Sequence, residues 1–465
     1  MKKIAYLLLL TLTISLFSGC SGCRKKGVVD EEEKIELVYY RLYDEEEVFE
    51  PIIQEFQKQN PNITIKYRMF TDIEEYENLI VNELAEGEGP DMFSVHNSWL
   101  LKHQNKISPA PDVITAADFS DVFVKVCTKD LIRVDSDNKK KVFGLPLFVD
   151  SLGLYYNKDH FEDKIPEKGK PSETWEELKD DVFKLTEEDN SFERFESAGI
   201  AMGRADNILR AVDILYMLML QNNTDFYNSG YSQAVFAEKQ DDEEPGIEAL
   251  ELFASFGQPD NKNYSWNDTI SDADSAEKEI IPFVKGKVSM IIGYSYLYEE
   301  IMNQIVIEDK KGYAIDRNDV KVAAIPQMFE GTKNKATFAD YFAETVSRNT
   351  EYPNEAWQFL EFLTRKENAK KYHEETNRPP SRRDLIEDQK SEPIYGIFAA
   401  QSGYADSYLM MDDVEYDDIF ESAIGNVVAG EDAEDALMDA QNDINDLLPS
   451  GGFLDTLEPK EENNN

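Results

Sequence analysis

The chain has 465 residues, 41% of them hydrophobic and 11% aromatic, a globular composition with enough apolar material for the cores of two lobes. Its formal charge of −45 excludes a nucleic-acid partner, whose phosphates demand a basic face, and gives no long-range attraction for acidic ligands. Such a charge ordinarily makes a soluble, self-repelling surface.

The amino terminus reads as a targeting segment. Lys2 and Lys3 precede an apolar run, Ile4 to Phe17, that is too short to span a bilayer. Leu16-Phe17-Ser18-Gly19-Cys20 resembles a bacterial lipobox, which implies a signal peptide over 1–19 and a lipidated Cys20. Cys23 follows the same small-residue pattern and is the alternative. Cleavage removes Lys2 and Lys3, taking the formal charge from −45 to −47. Residues 20–33 then form the lipid anchor and tether, and anionic lipid should repel the acidic body. The two other cysteines, Cys23 and Cys127, offer no disulfide framework.

Ile35–Leu42 predicts a first strand, followed by helical spacing of Val48, Phe49, Ile52, Ile53 and Phe56. Ile63–Tyr67 alternates as a strand, and Ile73, Tyr76, Leu79, Ile80 and Leu84 define a second amphipathic helix. Asp91–Val95 is a further short strand. This alternation predicts a mixed or parallel sheet flanked by helices. Ligands of such sheets sit beyond the carboxyl ends of strands, which singles out Tyr43-Asp44 and Asn97-Ser98-Trp99.

Gly144–Asp159 is the organising stretch. An apolar run, Leu145–Val149, is broken by Pro146, which cannot donate to a sheet ladder, and a strand-forming run, Leu152–Tyr156, follows. The polar pair Asp150-Ser151 lies between them, so the stretch reads as a hinge with Asp150 facing a gap between lobes. Beyond it, Thr174 and Glu177 make a capping box, and Ile200–Met202 predicts a short strand ending at Arg204. Ala211–Leu220 is apolar almost all round, as a buried helix should be. Val288–Ile292 is a buried strand running into Tyr294-Ser295-Tyr296. Val320–Ile325 reads as a second crossing between lobes and Arg378–Ser381 as a third. Ala433 to Leu447 is a last amphipathic helix.

Catalytic and metal motifs fail on inspection. Gly293-Tyr294-Ser295-Tyr296-Leu297 lacks the second Gly of a nucleophile elbow, and His373-Glu374 has no second His for a zinc-protease helix. What remains suits binding without a cofactor or metal. Aromatic rings cover the C–H faces of a sugar, while carboxylates, amides and Arg take its hydroxyls. Tyr43, Trp99, Tyr294, Tyr296 and Tyr341 are candidates for the faces; Asp44, Asn97, Asp150 and Arg204 are candidates for the edges.

The hinge stretch, Phe143 to Phe161, resembles the signature of the family 1 extracellular solute-binding proteins, the sugar receptors of ABC importers that include maltose-binding protein. Gly87–Phe93, Phe283–Gly293, Ala356–Leu363 and Arg378–Ser381 are similar to further family motifs in the same order, over about residues 35–450. The resemblance implies a two-lobed α/β fold of the periplasmic-binding-protein type. Its lobes would be 34–147 with 327–378 and 151–322 with 385–450, ending in a loose tail, 451–465. It also implies a lipid-anchored, monomeric receptor outside the cytoplasmic membrane that closes on a sugar or oligosaccharide and docks on an ABC permease. No residue would do bond chemistry. Rival readings are a receptor for a cationic solute such as a polyamine, a secreted glycan-degrading enzyme and a non-transporting sensor lipoprotein.

Overall fold

A computed structural model describes residues 33–188, 194–271, 278–331 and 335–459. The signal peptide, Cys20 and Cys23, the tether as far as residue 32 and the end of the tail lie outside the described residues.

The first lobe is built on a five-stranded sheet in the order Ile63–Phe70, Ile35–Leu42, Met92–His96, Phe342–Val346, Leu145–Pro146. The first three strands are parallel and the fourth runs antiparallel to its neighbours. Helices Glu46–Gln59 and Ile73–Ala85 bury the residues their periodicity selects, Phe49, Ile52, Ile53 and Phe56 on one and Tyr76, Ile80 and Leu84 on the other. Asp72 caps the second helix by accepting from the Glu75 N–H.

The second lobe centres on Gly153–Asn157, with Met290–Gly293 and Val320–Ala323 antiparallel on its two sides. Helix Ala211–Gln221 is buried almost all round, and Trp175 begins a helix, Trp175–Leu185, with Thr174 accepting from the Glu177 N–H. Each lobe has its own apolar core.

The chain passes between the cores beside a small three-stranded sheet, in which Thr337–Asp340 pairs with Asp150–Ser151 and with Ala405–Asp406. The first crossing falls at Asp150-Ser151. The second does not fall at Val320–Ile325, where the sequence placed it. Val320–Ala323 is a strand of the second lobe, and Gln221 donates to the carbonyls of Pro326 and Ala336, so the loop stays on that lobe. The passage is made at Phe338–Tyr341, where Phe338 packs in the second core and Tyr341 in the first. The first lobe therefore resumes near 339 rather than 327. Arg378–Ser381 runs beside the first crossing, the Val149 N–H donating to the Pro379 carbonyl and Ser381 to the Pro146 carbonyl. The third passage does not fall there or by 385: Ile386 still packs on the first core, and Phe398 packs in the second.

Ile200–Met202 is buried but joins no ladder as a strand. Ser265 donates to the Ile200 carbonyl and accepts from its N–H, diverting the groups a ladder would need.

Candidate functional site

Between the lobes lies a cavity of about 520 Å³, within the range of small-molecule sites. Its walls come from loops that follow strands in both lobes. Tyr43 follows Ile35–Leu42, Asn97 follows Met92–His96, and Tyr294 and Tyr296 follow Met290–Gly293. Tyr294 and Tyr296 present near-parallel rings, 6.0 Å apart at 28°. Ser295, between them, points away and binds the hinge: its N–H and Oγ–H donate to Asp150, the latter at 2.6 Å. The turn that leads from this strand into helix Leu297–Asp309 therefore lines the cleft with both tyrosines and ties the loop to the hinge through the residue between.

The guanidinium of Arg210 lies over these rings, 5.4 Å from the Tyr294 centroid and 5.8 Å from that of Tyr296, and donates to the Tyr296 hydroxyl. Asp213, in the first turn of the buried helix, accepts from the Tyr294 hydroxyl at 3.0 Å. Opposite, His96 Nε2 lies 3.2 Å from Asp340 and its Nδ1 2.6 Å from the Ser98 hydroxyl. Burial works against charge on both His96 and Asp340, yet their contact holds the imidazole above and the carboxyl below their ordinary ranges.

Carboxylates outnumber cations here. Asp150, Asp213, Glu300, Asp340, Asp413 and Asp417 line the cavity against Arg210, Arg378 and His96. Arg378 is already held 3.1 Å from Asp44. Burial pushes Asp150 up to about 7, although Ser295 and the Ser151 N–H favour its charged form. Burial, with Asp213 and Asp413 nearby, pushes Asp417 up to about 8.

Of the nine residues singled out in the sequence, Tyr43, Asn97, Asp150, Tyr294 and Tyr296 line the cavity, and Asp44, Trp99, Tyr341 and Arg204 do not. Asp44 is buried in the first lobe against Arg41, 2.7 Å away, and Tyr372, which donates at 2.9 Å. Trp99 is buried, its indole N–H donating to Asp413 at 2.9 Å, so it anchors the loop. Tyr341 lies in the first core and donates to Asp130. Its neighbours Asp340 and Phe342 point the other way, into the cavity, because successive strand residues face opposite sides. Arg204 pairs with Asp206, Nε to Oδ1 at 2.9 Å, beside a separate shallow groove against helix Asp413–Val428. Asn97 faces the cavity while its amide serves the fold, lying within 3.4 Å of Asp130 and of the Tyr341 N–H.

Sequence reading missed Arg210, Asp213, Asp340, Phe342, Asp413 and Asp417. One signal was present: Asp213 is the charged exception in the otherwise apolar stretch Ala211–Leu220, and a charge in such a helix needs a partner or a function.

Two α/β lobes with several crossings and a polar, aromatic-lined cleft between them define a two-lobed solute-binding protein. A family model described as bacterial extracellular solute-binding protein matches residues 51–395, and the chain belongs to that family. It is 26% identical over 412 residues to the maltodextrin-binding protein MdxE of Bacillus subtilis, covering 84% of each chain. It is 23% identical over 403 residues to the multiple sugar-binding protein of Streptococcus mutans, covering 84% of this chain and 85% of the relative. In fold it is similar to the sugar-binding protein MalE of Xanthomonas citri, with a TM-score of 0.70 at 15% identity over 88% of this chain and 96% of that one.

Proposed function

We propose that the protein captures a sugar or oligosaccharide in this cleft and delivers it to an ABC importer from a lipid anchor at Cys20, outside the cytoplasmic membrane. The observation that carries the reading is the pair of near-parallel rings of Tyr294 and Tyr296, flanked by Arg210 and Asp213. Rings of this kind cover the apolar face of a pyranose, and the charged groups beside them take hydroxyls in fixed directions. The names of the maltodextrin- and sugar-binding relatives support the same ligand class. Residues from both lobes line the cavity, so a ligand that touches both is bound better in the closed state and draws the lobes together. No turnover of the captured glycan is expected.

Calorimetric titration with maltotetraose and other neutral oligosaccharides tests the reading. Binding that Tyr296→Ala weakens by about tenfold or more supports it; wild-type protein that binds no glycan refutes it. The excess of cleft carboxylates favours a second reading, a cationic solute. Binding of spermidine in place of glycans, lost in Asp417→Asn, would establish that one. Labelling with a radioactive fatty acid, lost in Cys20→Ala, tests the anchor; label that persists there and is lost in Cys23→Ala moves the anchor to Cys23.

A further inference from the structure

Tyr43 combines three properties. It is 43% exposed and lines the cleft, its ring standing edge-on to Phe342 at 6.3 Å. Its φ is +69°, a conformation in which Cβ crowds the backbone and which bulky residues rarely adopt. It is also the centre of a three-residue turn, since the Asp44 N–H donates to the Leu42 carbonyl at 2.9 Å. A turn with that hydrogen bond and a positive φ at its centre is the rare, strained form of the γ-turn. Among the described residues, Tyr43 is the only non-glycine residue with positive φ that lines the cavity.

Both sides of the turn are pinned. On one side, the Tyr43 N–H extends the pairing of the first two strands by donating to the Phe70 carbonyl at 2.8 Å. On the other, Asp44 is held by Arg41, Arg378 and Tyr372, while its own carbonyl accepts from the Tyr67 hydroxyl at 2.6 Å. Strain of this kind persists only where the surroundings over-determine it, and it concentrates at ligand sites. A relaxed backbone at 43 would remove the constraint that aims this ring into the cleft.

We propose that Tyr43 is a ligand-contacting ring held in a strained turn at a cost in stability, and that Asp44, outside the cleft, is the positioning residue that holds it there. The contact half rests on the sugar-receptor reading; the strain half does not.

The test compares four variants by melting temperature without ligand and by maltotetraose titration. Tyr43→Gly and Tyr43→Ala both lose the ring, so the difference between them reads the backbone alone. Glycine should melt about 2 °C above alanine; the reverse order, normal at a relaxed position, overturns the strain. Both variants should bind maltotetraose about tenfold or more weakly. Unchanged binding in Tyr43→Gly overturns the contact. Asp44→Asn should weaken binding alone but add nothing in the Tyr43→Gly background, and an additive loss overturns its positioning role. If wild-type protein binds no glycan, the contact half fails with the sugar reading and the melting order still decides the strain half.

Discussion

Two groups of carboxylates buried or half-buried within this chain meet opposite electrostatic fates. In the first lobe, Asp44 and Glu344 share Arg41, and Asp44 also meets Arg378. Hydroxyls satisfy the remaining lone pairs: Tyr39 and Ser94 donate to Glu344 and Tyr372 to Asp44. Burial opposes the charge on Asp44, but the two guanidiniums and these hydrogen bonds hold its carboxyl below the ordinary range. On the cleft side, Asp150 and Asp417 have no cation within salt-bridge distance among the described residues, and both are pushed up, to about 7 and about 8. A charge matched from within is scaffold. A charge left unmatched beside a cavity is stability forgone, and we read it as the place where the fold awaits something from outside.

Breaking the matched group should have the largest effect. Arg41→Met strands Glu344 in the core and leaves Asp44 with Arg378 alone, and urea denaturation should show a loss of about 3–5 kcal/mol. A loss of that size should not follow from removing a cleft carboxylate.

The unmatched group should respond to pH. Asp417 titrates higher in the folded than in the unfolded chain, so the folded state binds the extra proton between about 4 and 8. Stability linked to it is present below pH 4 and lost as the pH rises through about 8. Asp417→Asn removes that loss, and its melting temperature relative to wild type should be higher at pH 9 than at pH 5. Burial holds His373 down at about 4, which gives the opposite slope. Its contribution is present above about 6.5 and lost as the pH falls through 4, so His373→Phe should flatten the acid side of the stability profile.

The smallest effect sharpens the boundary of the site. Arg204 pairs with Asp206 away from the cleft, and a solvent-accessible pair of this kind contributes little. Arg204→Ala should change stability by less than about 0.5 kcal/mol and leave maltotetraose affinity unchanged in the same titration.

Local chemistry made much of the fold legible in advance. Apolar spacing located the helices whose buried faces are Phe49 to Phe56, Tyr76 to Leu84 and Ala433 to Ile444, because a face that must leave water repeats with the helical turn. Pro146 and the polar pair Asp150-Ser151 marked the first crossing, because proline cannot continue a ladder. Only the tertiary structure decided which polar and aromatic residues beyond the strands turn toward the cleft. Tyr341 faces the core while Asp340 and Phe342 face the cavity, a matter of strand register. Asp44 turns inward to two guanidiniums, one supplied by Arg378 more than 300 residues away in sequence. Arg210 and Asp213 reach the aromatic pair because a buried helix from one part of the chain begins beside a loop from another. Periodicity is a property of neighbours along the chain. A binding site is a property of neighbours in space, and long-range pairing chooses them.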